Sequence, residues 1–269
     1  MIFVKLGGSL ITDKARPMTA RSEVIRRCSE EVRAAVDAGA RILLGHGSGS
    51  FGHHLGQHYR THTGVRSARD WYGFARVGMV ARELNQMVMA ALQEYAGLPA
   101  VSLRPSASAR ARAGELVRLD CSVAKRLLEV GALPVVFGDV ALDEEWGGTI
   151  VSTEQVLSYL ARRLRPKRIV LAGEVDGVYD ADPATGGATH LYSTITEEDY
   201  GQVVARLGAA RGADVTGGMV DKVRRMHELV GELPGLEVQL VNGTVPGLLQ
   251  RSILGEAPGE GTTIARTGG

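Results

Sequence analysis

The chain has 269 residues, 44% of them hydrophobic, and 31 Lys+Arg set against 30 Asp+Glu leave a formal net charge of +1. That apolar content excludes a disordered chain, and the charge balance excludes a globally basic nucleic-acid binder. Aromatics, at 5%, are too few for a platform that stacks bases.

The chain opens with an apolar run, Ile2–Leu6, too short for a helix, in which Lys5 is the one charged residue. Arg21–Ala38 carries Val24, Ile25, Cys28, Val32 and Val36 on one helical stripe, and Ala40–Leu44 is a second strand that runs into His46–Gly52. Strand, helix, strand and glycine loop read as a parallel α/β unit. The residues after Gly52 are polar and rich in histidine, so no clean amphipathic helix is expected there. Arg66–Tyr95 reads as one long helix that Gly73 and Gly78 could break or bend. Ala100–Leu103 is a short strand, Cys121–Val130 a helix, and Leu133–Phe137 a strand ending in Gly138-Asp139. A hairpin over Ala141–Val151 turns around Trp146, and Ser152-Thr153-Glu154-Gln155 forms a capping box that starts a helix to about Leu164. Arg168–Ala172 is a strand, followed by a loop and small hairpin in which Asp182-Pro183 marks a turn. Thr196 to Asp199 caps another helix. Thr216-Gly217-Gly218 precedes a helix over Met219–Leu229, and Leu236–Val241, a helix from Pro246 and Thr262–Ala265 close the chain. The predicted fold class is α/β: a single three-layer α/β/α sandwich over residues 1–269, with about six mainly parallel strands.

No apolar run approaches the ~18 residues of a membrane span. The N-terminus lacks a basic run followed by an apolar core, so no leader is expected. Cys28 and Cys121 fit two free thiols in a reducing cytoplasm better than a disulfide framework.

Glycine loops follow several strands: Gly7-Gly8-Ser9, Gly47-Ser48-Gly49, Gly138-Asp139 and Gly217-Gly218. Backbone N–H groups in such turns face anions, and ligands of open α/β sheets sit at the carboxyl ends of strands. Several loops together suit a ligand with several phosphates. Gly47–Gly52 also matches G-x-G-x-x-G, but it follows the second strand, and no apolar strand leads to Asp70 downstream, so a dinucleotide fold is disfavoured. No Walker-type loop is present. Lys5 inside an apolar run needs a reason, and an anion at the strand end supplies one. Lys222, near a helix start, is badly placed for a cation unless an anion lies close. His46, His53, His54, His58 and His62 crowd one span, yet no thiol or carboxylate pair supports a metal site, and the metal ligands stay unassigned.

Lys5-Leu6-Gly7-Gly8-Ser9, His46-Gly47-x-Gly49, Gly138-Asp139 and Thr216-Gly217-Gly218-Met219-x-x-Lys222 resemble the amino acid kinase superfamily over nearly the whole chain. Lys14 in ITDK, Phe51-Gly52-His53, Ser102-x-x-Pro105-Ser106 and Asp214 to Met219 sharpen the resemblance toward isopentenyl phosphate kinases. The resemblance implies transfer of the ATP γ-phosphoryl to isopentenyl phosphate with Mg²⁺, in a cytoplasmic homodimer that binds neither nucleic acid nor membrane. It implies an acceptor-binding half, about residues 1–150, and a nucleotide-binding half, about 151–269. Lys5, Lys14, His53, Asp139 and Lys222 are the implied catalytic residues. His53 would bind the acceptor phosphate, Lys14 would reach the β- or γ-phosphate, and Asp139 would orient the lysines or touch Mg²⁺. Lys5, Gly7, Gly8, Ser9, Gly49, Gly173, Val178, Gly218 and Lys222 would bind the nucleotide. Gly8, Ser48, Gly52, His53, Gly138, Val151 and Ser152 would bind the acceptor. Tyr72, Phe74, Val77, Gly78, Met79 and Ile150 are candidates for the wall around a short apolar tail. Two departures stand out: Gly-Ser-Gly in the second loop, and Gly173-Glu174-Val175-Asp176-Gly177 where relatives often carry T-D-V-D-G. The alternatives are a kinase of another small phosphate or phosphonate such as fosfomycin, a nucleotide-sensing module on the same fold, and a dehydrogenase.

Overall fold

The computed structural model describes residues 1–181, 183, 189–209 and 218–266. In chain order the elements begin β1 (Ile2–Leu6), α1 (Gly8–Ile11), α2 (Ser22–Asp37), β2 (Ile42–His46), α3 (Gly49–Tyr59), α4 (Ala68–Ala90) and β3 (Ala100–Ser102). Next come β4 (Arg110–Arg112), β5 (Glu115–Arg118), α5 (Ser122–Glu129), β6 (Leu133–Phe137), β7 (Asp139–Asp143), β8 (Gly147–Val151) and α6 (Thr153–Leu164). The chain continues through β9 (Arg168–Gly173), β10 (Val178–Tyr179), β11 (Leu191–Tyr192), β12 (Thr194–Ile195) and α7 (Tyr200–Ala209). It closes with α8 (Gly218–Glu232), β13 (Glu237–Asn242), α9 (Leu248–Leu254) and β14 (Thr262–Ile264).

Eight strands form one sheet in the order β12-β14-β13-β9-β1-β2-β6-β3. All its pairs are parallel except β13 with β14. The central strands are apolar on both sides because helices cover both faces. Alternation along β1 divides its side chains: Phe3 joins the core under α6 and α8, while Val4 and Leu6 join the core under α2, α4 and α9. Lys5 shares the side of Phe3 and therefore faces α6 and α8.

The sandwich is as the sequence predicts, with three differences. A separate four-stranded sheet, β5-β4-β7-β8, extends the expected β7–β8 hairpin. Asp143 ties its two hairpins together, since its carboxylate accepts from the backbone N–H groups of Ala113, Gly114, Glu145 and Trp146. The histidine-rich stretch after the second glycine loop is a helix after all. Its buried residues are Gly49, Ser50, Phe51, Gly52 and Gly56, and the glycines let α3 lie close against α4 and the β8 hairpin. A Cβ on Gly56 would come 3.2 Å from Ile150, and one on Gly73 would run into the Tyr59 ring. Gly73 and Gly78 are thus close-approach positions and break nothing in α4. Finally, Ser152 caps α6 by accepting from Gln155 N at 3.1 Å, but the box does not close, because Gln155 donates instead to Gly114 O. The complete capping box belongs to α4, between Ser67 and Asp70. The expected turn at Asp182 and the motif residues Asp214, Thr216 and Gly217 lie outside the described residues.

Candidate active site

The loops after β1, β2, β6, β9 and β13 meet at the carboxyl edge of the central sheet. The first two touch. Gly47 N donates to Leu6 O at 2.9 Å, and a Cβ on Gly8 would collide with the amide nitrogen of Gly49. Gly49 has φ +47°, which favours glycine, and a Cβ there would strike Thr12 Oγ1 and Gly8 O. Thr12 staples the junction. Its buried hydroxyl donates to Gly8 O at 2.7 Å and accepts from Ser50 N at 2.9 Å. Gly7 N donates to Ala172 O at 2.7 Å, so the first loop is also fixed to β9.

On one side of this junction lies a shallow open cleft. Lys5, Gly7, Gly173, Val175, Met219 and Lys222 line it, with Leu171 and Leu240 as apolar floor. Lys5 is 8% exposed and forms an ion pair and hydrogen bond with Glu154, the second residue of α6. Burial alone would raise the Glu154 carboxyl, but Lys5 and then Lys222 outweigh it and hold it down to about 2. One carboxylate therefore serves two lysines from different elements. An α6 N-terminus is also a favourable place for that negative charge. Sequence reasoning saw Glu154 only as part of a cap. Its one local signal, an acidic residue in the first turn of a helix, does not say that the helix start faces β1.

On the other side lie Ser48, Gly52 and His53. Ser48 is the N-cap of α3, and a Cβ on Gly52 would collide with its hydroxyl. His53 is exposed on the first turns of α3, and its Nδ1 donates to Gly49 O at 2.9 Å. This leaves Nε2 as the ring atom able to meet a ligand. Gly138 sits where a Cβ would come within 3.3 Å of Thr153 N, Thr153 Oγ1 and Val151 O, so β6 enters β7 tightly against the start of α6. Ser152 is exposed beside it.

Several predicted site residues stand elsewhere or act differently. Asp139 is 1% exposed and faces the segment after β3, where its carboxylate accepts from Ser106 N at 3.1 Å and Arg104 Nε at 3.4 Å. Among the described residues the acid paired with Lys5 is Glu154, where Asp139 was the expected partner. Lys14 lies on the loop between α1 and α2 with a largely exposed side chain, and its Nζ is 3.9 Å from Glu174 Oε2. Glu174 also accepts from Arg21 Nη1 at 2.5 Å. Lys14 is thereby parked at the rim beside Glu174. Val178 is fully buried in the apolar core, and its N–H donates to Thr262 Oγ1 at 2.8 Å. It supports the cleft wall and offers no side-chain contact. Val151 is buried in the same core, so only its backbone can reach a ligand. Gly173 and exposed Gly218 flank the cleft, the latter as the first residue of α8. Ser9 lies in α1 behind the first loop. Of the tail candidates, Ile150 is half-buried beside Gly56, and Gly78 lies against Val140, Arg104 and Asp139. Val77 is buried, Phe74 lies against Gly148, and Met79 packs against the core. Tyr72 is 56% exposed, so it does not wall an enclosed pocket.

The amino acid kinase family model matches residues 1–242. The chain belongs to that family. It is 36% identical to the isopentenyl phosphate kinase of Methanothermobacter thermautotrophicus, over 95% of this chain and 96% of that protein. It is 29% identical to the isopentenyl phosphate kinase of Methanocaldococcus jannaschii, over 98% of each chain. Its fold superposes on a crystal structure of isopentenyl phosphate kinase with a TM-score of 0.84, at 34% identity, covering 98% of this chain and 100% of that one. Within the amino acid kinase family the chain sits in the isopentenyl phosphate kinase branch.

Proposed function

We propose that this protein transfers the γ-phosphoryl group of ATP to isopentenyl phosphate, giving ADP and isopentenyl diphosphate. The observation that carries this reading is the joint between the two glycine loops. A lysine-lined cleft opens on one side, a loop carrying Ser48 and His53 lies on the other, and buried Lys5 stands at the end of β1 beside the joint. Phosphoryl transfer needs two phosphates in line and their charge neutralised, more than it needs covalent chemistry.

The triphosphate lies in the cleft against Lys5, Lys222, Gly7, Gly8 and Gly218, with the nucleoside toward Gly173 and Val175. Lys14 reaches the phosphates by leaving Glu174. The acceptor phosphate lies against Ser48, Gly49, Gly52 and His53, with Gly138 and Ser152 at its flank. An oxygen of the acceptor attacks the γ-phosphorus, the bond from that phosphorus to the β–γ bridging oxygen breaks, and ADP leaves. The acceptor oxygen is already ionised, so no strong base is required. With Nδ1 committed to Gly49 O, His53 donates to phosphate from Nε2 only as imidazolium, which also offsets the meeting of two anions. Mg²⁺ adds neutralisation of the nucleotide's phosphates. No cluster of three His, Cys, Asp or Glu suited to a metal occurs among the described residues, and Glu154 and Asp139 are engaged with protein partners. The ion would therefore enter on the nucleotide.

The N-terminal half of the sheet edge takes the acceptor and the C-terminal half the nucleotide. Free Cys28 and Cys121 support a reducing cytoplasm. No helix of the described residues is long and apolar enough to cross a membrane. A homodimer follows from the family resemblance, and light scattering checks it.

The test is an ADP-release assay with Mg·ATP and isopentenyl phosphate, dimethylallyl phosphate, geranyl phosphate and fosfomycin as acceptors. The C5 phosphates are expected to give the highest kcat/KM. A higher value for fosfomycin would overturn the acceptor assignment, and ATP binding with no acceptor turned over would overturn the kinase reading.

A further inference from the structure

His46, the last residue of β2, is fully buried and directly precedes the second glycine loop. Its surroundings are nevertheless polar and completely paired. Nδ1 donates to Gly47 O at 3.1 Å, and Asn85 Nδ2 of α4 donates to Nε2 at 3.0 Å. Ser102 Oγ of β3 donates to Asn85 Oδ1 at 2.6 Å, and the ring sets the amide's orientation, because the Gly47 carbonyl can only accept and so requires the proton on Nδ1. The His46 carbonyl accepts from Thr153 Oγ1 at 2.7 Å, and the ring stacks on Phe137 with centroids 5.4 Å apart. The contacting residues from α4, α6 and β6 carry no charge. Burial chiefly, with the Lys5 charge on β1 added, drives the imidazole down to about 4, so it stays neutral at working pH.

These bonds have one shared consequence. An amide that donates to Nε2 leaves the single ring proton on Nδ1, and that proton holds the Gly47 carbonyl. The loop Gly47–Gly49 has only Ser48 as a side chain, so it has few means of holding its own shape. Fixing the Gly47 carbonyl fixes the peptide that leads into the Ser48 and Gly49 N–H groups. We propose that His46 is a positioning residue for the acceptor-phosphate loop, kept in its Nδ1–H tautomer by the Asn85 and Ser102 relay. This rests on the reading that the acceptor phosphate binds at Ser48–His53.

The test compares Asn85→Leu, Asn85→Asp and His53→Ala by steady-state kinetics, with ¹⁵N NMR of the histidine rings and thermal melts alongside. Asn85→Leu is expected to raise KM for isopentenyl phosphate roughly tenfold, the scale of one buried hydrogen bond, and to leave KM for ATP within about twofold. Its His46 signals should lose the pure Nδ1–H pattern. Asn85→Asp places an acceptor opposite Nε2, which draws the neutral ring's single proton there and leaves Nδ1 without one for Gly47 O, so the acceptor KM should rise at least as far as in Asn85→Leu while KM for ATP stays within about twofold. If Asn85→Leu lowers the melting temperature but leaves both KM values unchanged, or if an Asn85→Asp ring without its Nδ1 proton keeps the wild-type acceptor KM, the inference is overturned. If His53→Ala leaves the acceptor KM unchanged, the site reading itself fails, which separates the two.

Discussion

Glu154→Gln removes a carboxylate that faces both Lys5 and Lys222 while keeping the shape of the side chain. The Glu154 carboxyl is held at about 2 against an ordinary value of 4.5. At 1.36 kcal/mol per unit this difference corresponds to about 3 kcal/mol of folding free energy at pH 7. The sign follows from linkage. A depressed carboxylate contributes fully above the unfolded value and loses its contribution as pH falls through the folded value, so the window lies between about pH 5 and pH 2. The stabilisation should fall to about half near pH 3. Urea unfolding of wild type and variant at pH 7, 4 and 3 reads this directly. The variant should be about 3 kcal/mol less stable at pH 7, and the gap should narrow at low pH. Added ATP should recover part of the loss, because its phosphates give the two lysines a new counter-charge. A gap below about 1 kcal/mol at pH 7, or one that does not change with pH, would refute the assignment of Glu154 as the lysines' shared partner.

Gly49→Ala should cost more than about 2 kcal/mol, combining an unfavourable positive φ with a collision against Thr12 and Gly8, and it should abolish turnover; urea unfolding and the ADP-release assay check this. Cys28 is fully buried, and burial pushes its thiol up to about 12, so it should react with a disulfide reagent only after unfolding. The reagent should therefore release at most one equivalent from native protein, from Cys121, and two in denaturant, as absorbance would show.

The sequence revealed much of the frame because its signals were the ones physics makes local. Lys5 stood alone in an apolar run, and glycines closed the strands. The periodicity of α2 and α4 and the cap signal of α6 were plain, and β1, β6 and β9 were short, largely apolar runs. The structure departs where the signal is tertiary. Helix α3 was hidden because Phe51 is the one large apolar residue among its buried positions, Gly49, Ser50, Phe51, Gly52 and Gly56, and glycine adds nothing to a hydrophobic pattern. The β4–β5 hairpin was hidden because its strands, Arg110–Arg112 and Glu115–Arg118, are short and end in charges, as edge strands do. At the site, Glu154 looked like a cap residue because nothing local shows that the start of α6 faces β1. Asp139 stood as the lysine partner only through the family resemblance, and in the structure its carboxylate turns toward Arg104 and Ser106. Thr12 gave no sign at all, since its importance comes from two loops distant in sequence meeting at one hydroxyl.

The central claim is that one joint aligns a nucleotide with a phosphate acceptor for direct transfer. The most direct test is to incubate the protein with Mg²⁺, isopentenyl phosphate and ATP labelled at the γ-phosphorus, and to follow the label by ³¹P NMR or chromatography. The account predicts that the label appears in the terminal phosphoryl group of isopentenyl diphosphate in amounts equal to the ADP formed, and that His53→Ala loses most of this product while still binding ATP. Label released as inorganic phosphate, or wild-type yield from His53→Ala, would contradict it.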